Sequence, residues 1–221
     1  MKLFSFGHII ALVTICFVML LFKFNSEKLR NYKNINLVTL IYGLALLLID
    51  STYYFNKLGE FDIRVTLPLE LCSFGLYTIA FCFILNKKEL FKYALPLCLL
   101  GSVFALLLPL TKDSWTFLSV RYFHFFLVHG GLFLAVFYAK YVLDYKVSIK
   151  DYKKFMRFFT IAYISVYAFN ITINGNYMMN VALPGFFSVV SDTLGVFYPL
   201  AFYLILSLAY FGIYKLYIRL K

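Results

Sequence analysis

Apolar stretches long enough to cross a membrane alternate with short polar connectors along the whole chain. A bilayer core of ~30 Å takes about 20 helical residues, and seven stretches reach roughly that length. We therefore predict an all-α polytopic membrane protein, a single bundle of seven transmembrane helices that forms one domain over residues 1–221. The first stretch is expected to be a retained span, since its apolar core is longer than that of a signal peptide. The predicted spans are 3–24, 35–55, 67–85, 90–110, 117–142, 155–173 and 192–216.

Composition supports a lipid-exposed surface. Hydrophobic residues make up 63% of the chain and charged residues 14%, against about 25% charged in soluble domains. This excludes a soluble globule, a disordered chain, a coiled coil and a nucleic-acid-binding protein. The four cysteines show no paired CxxC spacing and no HExxH-like motif occurs, so neither a disulfide framework, nor a metal site, nor a cofactor is expected.

Lysine and arginine placement predicts the orientation, because cytoplasmic loops collect positive charge. The connectors after spans one, three and five, together with the carboxyl-terminal end, hold 16 of the 21 cations. We therefore expect the N-terminus outside and the C-terminus in the cytoplasm, in a multi-pass protein of the cell membrane whose partners are membrane lipids. The net charge of +11 is then mainly an orientation signal, and the oligomeric state is left open. The opposite side carries Lys2, Lys57, Arg64 and Lys112, while Arg121 falls inside span five.

Polar side chains gather near the predicted outer ends of the spans. An ionisable group at the centre of a membrane costs roughly 2.5–3.5 kcal/mol on insertion scales, so each one calls for a reason. Five spans contribute such groups at similar depth, which is how a helical bundle builds an internal site. They are Asp50 in span two, Glu70 and Cys72 in span three, Arg121, His124 and His129 in span five, Asn174 and Asn176 after span six, and Asp192 in span seven.

Helical geometry limits which of these can face one cavity. At about 100° per residue, Arg121, His124 and His129 fall within an arc of roughly 140°. Glu70 and Cys72 are about 200° apart on a helix, so if Cys72 faces the site, Glu70 is expected to contact a neighbouring helix or a loop. We predict that Arg121, His129, Asn174 and Asp192 line one cavity with Cys72.

Other interpretations of single residues stay open at this point. Asp192 and Thr66 stand where helix N-caps occur, and an acid such as Glu70 is favoured in a first turn. Arg121 could extend to the headgroups, His124 could be an interfacial residue, and 174–176 could be an ordinary turn.

Cys72 differs from Cys16, Cys82 and Cys98, which are expected to pack as small apolar residues. Pro68 is predicted to lie in the first turn of its helix, which places the Cys72 sulfur near the positive end of the helix dipole. A histidine of span five could take the thiol proton, which gives a possible acyl-transfer pair. Gly130 and Gly131, after His129, would let another helix or a lipid chain come close.

Four ordered motifs resemble those of the YwaF family of bacterial seven-span membrane proteins, which is similar to animal transmembrane protein 164. They are LPLELCS at 67–73, RYFHFFLVHG at 121–130, NGNYM at 174–178 and SDTLG at 191–195. The resemblance implies an acyltransferase that acts on phospholipid acyl chains, distantly akin to AIG/ADTRP-type lipid hydrolases. It implies Cys72 as the nucleophile and His129 as its partner. The residue before Leu-Cys, usually histidine in the family, is Glu70 here.

The leading hypothesis is a membrane acyltransferase or lipid hydrolase that works in the outer leaflet. Arg121 would then hold a phosphate or stabilise an oxyanion, and Asn174 or Asn176 would add hydrogen bonds. A carrier is the alternative, with Asp50, Glu70, His124 and Asp192 as a proton relay. A third class is a sensor or scaffold that uses the basic 140–157 loop. The polar residues occupy one half of the bilayer, which favours the enzyme over a conduction path.

Overall fold

The computed structural model describes residues 4–56, 58–109 and 116–220, and within these ranges the secondary structure is helical without strands. The predicted span ends at residues 3 and 110, and the cations Lys2, Lys57, Lys112 and Lys221, lie outside the described residues. The helices are α1 (Phe6–Phe24), α2 (Ser26–Arg30), α3 (Ile35–Asn56), α4 (Leu71–Ile84), α5 (Phe91–Leu107), α6 (Val120–Tyr141), α7 (Ile149–Ile173), α8 (Ser188–Leu194) and α9 (Tyr198–Arg219).

Six apolar helical stretches in the described part of the chain are long enough to cross a membrane. They correspond to α1, α3, α5, α6, α7 and the combined α8 and α9 region. A seventh apolar helix, α4, has 14 residues and is about 21 Å long, shorter than the ~30 Å bilayer core. The predicted all-α polytopic fold is confirmed, with α4 as a short member of the bundle.

The start of α4 corrects the prediction for span three. The helix begins at Leu71 rather than at residue 67, so Pro68 does not lie in its first turn. Proline disfavours helical geometry in the residue before it, and Thr66 is already used in a preceding turn, where its hydroxyl accepts the N–H of Asp62. Thr66 is therefore not an N-cap, and Cys72 is the second residue of the helix.

The predicted seventh span is interrupted. Residue 192 was predicted to begin a long helix, with an N-cap as one open interpretation of its side chain, but Asp192 lies inside α8 with an exposed side chain. Gly195 breaks the helix at φ 50°, a conformation that glycine tolerates, and α9 starts at Tyr198. Asp192 is therefore not an N-cap, and the predicted start of span seven is wrong.

Glycines bring the helices around α4 into close contact. A Cβ atom on Gly75 of α4 would lie 3.0 Å from the Cys98 nitrogen of α5, and one on Gly101 of α5 would lie 3.3 Å from the Cys72 nitrogen. These approaches hold the start of α4, including the turn that carries Cys72, against α5.

The Gly130 and Gly131 pair of α6 also admits neighbouring helices, as expected. A Cβ atom on Gly130 would lie 2.8 Å from the Ile15 side chain of α1, and one on Gly131 would lie 2.9 Å from Leu46 of α3. The pair therefore lets α1 and α3 pack closely on α6, just below His129.

Candidate functional site

A cavity of about 350 Å³ lies where the end of α3, the start of α4 and the first half of α6 meet, and the 62–70 segment contributes to its wall. Its wall is formed by Asp50, Tyr53, Tyr54, Val65, Thr66, Leu67, Glu70, Cys72, Ser73, Leu76, Arg121, His124, Phe125, Val128 and His129.

Six of the nine predicted site residues lie on this wall. Three others do not: Asn174, Asn176 and Asp192 have exposed side chains elsewhere. The prediction that Asn174 and Asp192 line one cavity with Cys72 is wrong. The six that share the cavity are Asp50, Glu70, Cys72, Arg121, His124 and His129.

The asparagines have local roles that explain their absence from the cavity. Asn174 ends α7 in the left-handed conformation, with φ 55°. The Asn176 side chain accepts the N–H groups of Val181 and Ala182 and donates to the Ala182 carbonyl. Both asparagines therefore stabilise a turn, which is the alternative interpretation that was left open for residues 174–176.

The α6 side of the cavity is rich in nitrogen atoms. Arg121 Nε, His124 Nε2 and His129 Nδ1 are buried and, within the described ranges, have no hydrogen-bond partner. A buried polar atom without a partner costs about 1–3 kcal/mol, so this wall is suited to a ligand that supplies acceptors or donors. An anionic group fits the guanidinium, and a proton donor fits a neutral imidazole nitrogen.

Aromatic rings hold these nitrogen-bearing side chains in place. The Arg121 guanidinium carbon lies 5.1 Å from the centroid of the Tyr53 ring, and the His124 ring stacks on Tyr53 at 6.0 Å. The His129 ring packs on Phe125 at 4.6 Å between centroids. Tyr53 was not among the predicted site residues, although its position three residues after Asp50 puts both on one face of α3.

The cavity wall also carries an acid from α3. Asp50 is buried, and its Oδ2 accepts the hydroxyl hydrogen of Tyr77 at 3.1 Å. Ser73 and Tyr54 also line the cavity. Their hydroxyl groups were not singled out in the sequence, because Ser and Tyr are common in membrane helices and carry no charge there.

Cys72 is the cysteine that this cavity exposes. Cys82 and Cys98 are buried, and their thiols donate to the Lys87 and Gly75 carbonyls at 3.3 Å. Cys16 is exposed on the outer face of α1. Cys72 is half-buried and lies in the first turn of α4, where the N–H groups have no acceptor within the helix.

Glu70 contacts a loop, as expected, but it also lines the cavity, so the expectation that Glu70 and Cys72 could not both face it is wrong. Its Oε2 accepts the backbone N–H of Met178 at 2.9 Å. Both side chains can reach the cavity because Glu70 has extended backbone geometry at the N-cap, with ψ 156°, so the helical angle between positions 70 and 72 does not apply.

The turn that precedes Glu70 is held by its own side chains. The Arg64 guanidinium donates to both oxygens of the Asp62 carboxylate, and this hydrogen bonding lowers the pKa of Asp62 to about 2. Asp62 therefore stays ionised over the whole physiological range. The turn places Val65, Thr66 and Leu67 on the cavity wall.

Among the described residues, no group of three His, Cys, Asp or Glu side chains could hold a metal ion. The chemistry that the cavity offers is thus that of a thiol, two imidazoles, a guanidinium and two carboxyl groups within one partly enclosed space.

Comparison with known proteins identifies the family. Residues 3–217 match the TMEM164 family, and the chain belongs to it. No curated protein and no solved structure matches the chain. The whole cavity wall, residues 50–129, lies within the matched region.

Proposed function

We propose that this member of the TMEM164 family transfers or hydrolyses acyl esters of membrane phospholipids, with the Cys72 thiol as the nucleophile and His129 as the general base. The single observation that carries the proposal is the shared cavity. Cys72 and His129 both line it, and the buried Nδ1 of His129 has no hydrogen-bond partner in the described part of the chain. A nucleophile and a base in one cavity are the minimum for covalent acyl transfer.

The reaction proceeds in two balanced steps. In the first, the Cys72 thiol proton passes to His129 Nδ1 and the sulfur bonds to the ester carbonyl carbon. The ester C–O bond breaks, and the departing alcohol takes the proton back from the imidazolium, which leaves an acyl thioester. In the second, a lipid hydroxyl or a water molecule attacks the thioester, and His129 moves its proton to the thiolate of Cys72.

Arg121 and the first turn of α4 provide sites for negative charge. The Arg121 guanidinium is suited to the phosphate of the substrate headgroup. The N–H groups of Cys72 and Ser73 belong to the uncapped first turn of α4, and such groups are suited to the oxyanion of a tetrahedral intermediate. In this arrangement the phosphate binds to Arg121 on α6, and the reacting carbonyl lies beside the Cys72 thiol on α4.

The distribution of basic residues predicts the leaflet of the membrane in which the cavity opens. The cavity is formed by helix ends opposite to the basic connectors, so in the predicted orientation it opens in the outer leaflet of the cell membrane. The motif resemblance to YwaF proteins implies the same reaction class.

A carrier is less well supported by the observed packing. The wall residues Leu76 and Val128 are followed, about one turn deeper, by the fully buried Ile79 and Leu132. A conduction path needs polar lining in both halves of the bilayer, whereas the residues directly beneath these two wall positions are apolar.

The test is acyl transfer by the purified protein in nanodiscs that contain a phospholipid with a labelled acyl chain. We expect labelled product and a mass increase of one acyl group on the Cys72 peptide. Cys72→Ala should lower the rate about 100-fold or more, and His129→Ala should slow thioester formation by a comparable factor.

Cys16→Ala is the matched control, because that cysteine lies away from the cavity, and its rate should stay within about twofold of wild type. Full activity in Cys72→Ala would exclude the thiol as nucleophile.

A further inference from the structure

Glu70 occupies the N-cap position of α4 without capping the helix. Its side chain makes no hydrogen bond to the first turn, although an acid at this position ordinarily accepts one. Instead its Oε2 accepts the Met178 N–H at 2.9 Å, from a part of the chain 108 residues away. Glu70 therefore does not cap the first turn of α4, and it ties the start of that helix to the connector between α7 and α8.

The backbone around Met178 is fixed independently of Glu70. The Asn170 side chain accepts the Tyr177 N–H at 3.0 Å and donates to the Tyr177 carbonyl at 2.9 Å. It also donates to Asn180 Oδ1 at 2.7 Å, and both asparagines are buried. The Tyr198 hydroxyl donates to the Met179 carbonyl at 2.6 Å. The donor that Glu70 meets is therefore held in place by α7 and α9.

This turn keeps an unfavourable backbone geometry. Met178 and Met179 both have left-handed conformations, with φ 58° and 52°, which residues with a Cβ atom rarely adopt. Such geometry persists only where the surrounding contacts enforce it, and it concentrates near functional sites. Here it aims the Met178 N–H at the carboxylate of Glu70.

We propose that Glu70 is a positioning residue that holds the Cys72 thiol at the cavity wall by tying the first turn of α4 to the Met178 N–H. The inference rests on the proposed function, in which Cys72 is the nucleophile. The carboxylate acts as a hydrogen-bond acceptor at a fixed reach, and its charge and basicity are not required.

If Glu70 acts only as a hydrogen-bond acceptor, its two conservative substitutions should differ in their effect on activity. Glu70→Gln keeps a carbonyl oxygen at the same reach but removes the charge. Glu70→Asp keeps the charge but is one methylene shorter, so its oxygen cannot reach Met178 without moving the helix. If Glu70 were a general base or an electrostatic partner of Cys72, Glu70→Asp would keep more activity than Glu70→Gln.

The experiment measures two quantities for wild type and for Glu70→Gln, Glu70→Asp and Glu70→Ala in nanodiscs. One is kcat and KM for phospholipid acyl transfer. The other is the alkylation rate of each cysteine by a small maleimide, followed by peptide mass spectrometry. Cys82 and Cys98 report on folding because they are buried. Glu27→Ala, at an exposed site on α2, is the matched control.

We expect Glu70→Gln and Glu27→Ala to keep kcat and Cys72 alkylation within about twofold of wild type. Glu70→Asp and Glu70→Ala should lose at least about tenfold in kcat at nearly constant KM. In these two variants Cys72 should be alkylated severalfold faster as the first turn frays, while Cys82 and Cys98 stay unreactive.

Two outcomes would overturn the proposal: wild-type behaviour of all three Glu70 variants, or an active Glu70→Asp beside an inactive Glu70→Gln. If alkylation of Cys82 and Cys98 shows that the Ala or Asp variant has unfolded, Glu70→Gln decides alone, and its loss of kcat contradicts the proposal. Failure of the proposed function gives a different pattern. Wild type then transfers no acyl group, while the alkylation series still reports whether Glu70 holds the thiol.

Discussion

Tyr53 is the residue on which the nitrogen-rich wall depends. Its ring packs against the Arg121 guanidinium at 5.1 Å and against the His124 ring at 6.0 Å. A cation over an aromatic face gains about 0.5–2 kcal/mol, more when water is excluded. The ring thus keeps two long or rotatable side chains directed into the cavity before a ligand enters.

We predict that Tyr53→Leu weakens phospholipid binding and that Tyr53→Phe does not. Loss of about 1 kcal/mol of stacking corresponds to roughly a fivefold higher KM, with kcat nearly unchanged because the thiol is on another helix. Steady-state kinetics in nanodiscs measure both constants. An equal loss in the Phe variant would assign the effect to the hydroxyl group instead of the ring.

At this scale the sequence identified the acids, the histidines, the arginine and the cysteine of the cavity, and it missed Tyr53, Tyr54 and Ser73. Asp50, Arg121 and His129 attract notice because ionisable groups are costly in a membrane. Tyr53 and Ser73 carry no such signal. Asn174 and Asp192 were misplaced because a polar residue at a helix end has an equally good local use, in a turn or in a short exposed helix, and sequence does not distinguish the two.

At the scale of elements, the feature that shapes the site is the pairing of the 62–70 segment with the connector after α7. The Tyr177 hydroxyl accepts the Leu67 N–H at 2.8 Å and donates to the Ile63 carbonyl at 2.7 Å. Together with the bond from Met178 to Glu70, this gives the short helix α4 a fixed start. A 14-residue helix that begins inside a bundle needs such a support for its free N–H end.

We predict that Tyr177→Phe lowers the stability of the protein. The ring is buried and stays packed, but the Leu67 N–H and the Ile63 carbonyl lose their partner, which costs about 1–3 kcal/mol. The apparent Tm in detergent should fall by a few degrees. Tyr32→Phe, at an exposed tyrosine, should leave the Tm unchanged. Equal melting of all three proteins would show that the hydroxyl does not support the segment.

Helices were predictable from apolar runs, but several of their ends were not. The run from residue 67 continues without a charge up to Glu70, so hydropathy placed Pro68 inside span three, whereas 67–70 precede the helix and are held by long-range bonds of Tyr177 and Glu70. Similarly, α7 begins at Ile149, six residues earlier than predicted, because the Ser148 and Asp151 capping box starts a helix within a charged stretch.

For the whole molecule, the cavity and the basic connectors lie at opposite ends of the bundle. The Arg30 side chain of the first connector donates to the Tyr141 carbonyl at the end of α6, and Lys140 donates to the Tyr217 carbonyl near the end of α9. These contacts bring the basic ends together. Arg121, by contrast, lies at the start of α6, and Cys72 at the start of α4.

The orientation prediction follows from this arrangement together with the charge count. Since 16 of the 21 cations lie in the connectors and tail predicted to be cytoplasmic, the basic end should face the cytoplasm and the cavity should open outside.

Lys150→Cys, at the start of α7, and Val196→Cys, between α8 and α9, place exposed thiols at the two ends. Both are made in the Cys72→Ala background, so that the cavity thiol does not contribute. In intact cells a membrane-impermeant maleimide should label Val196→Cys within minutes and should label Lys150→Cys only after lysis. The reverse pattern would contradict the orientation and would move the cavity, with its thiol and its Arg121 guanidinium, to the inner leaflet, where the substrate would be a cytoplasmic-side phospholipid.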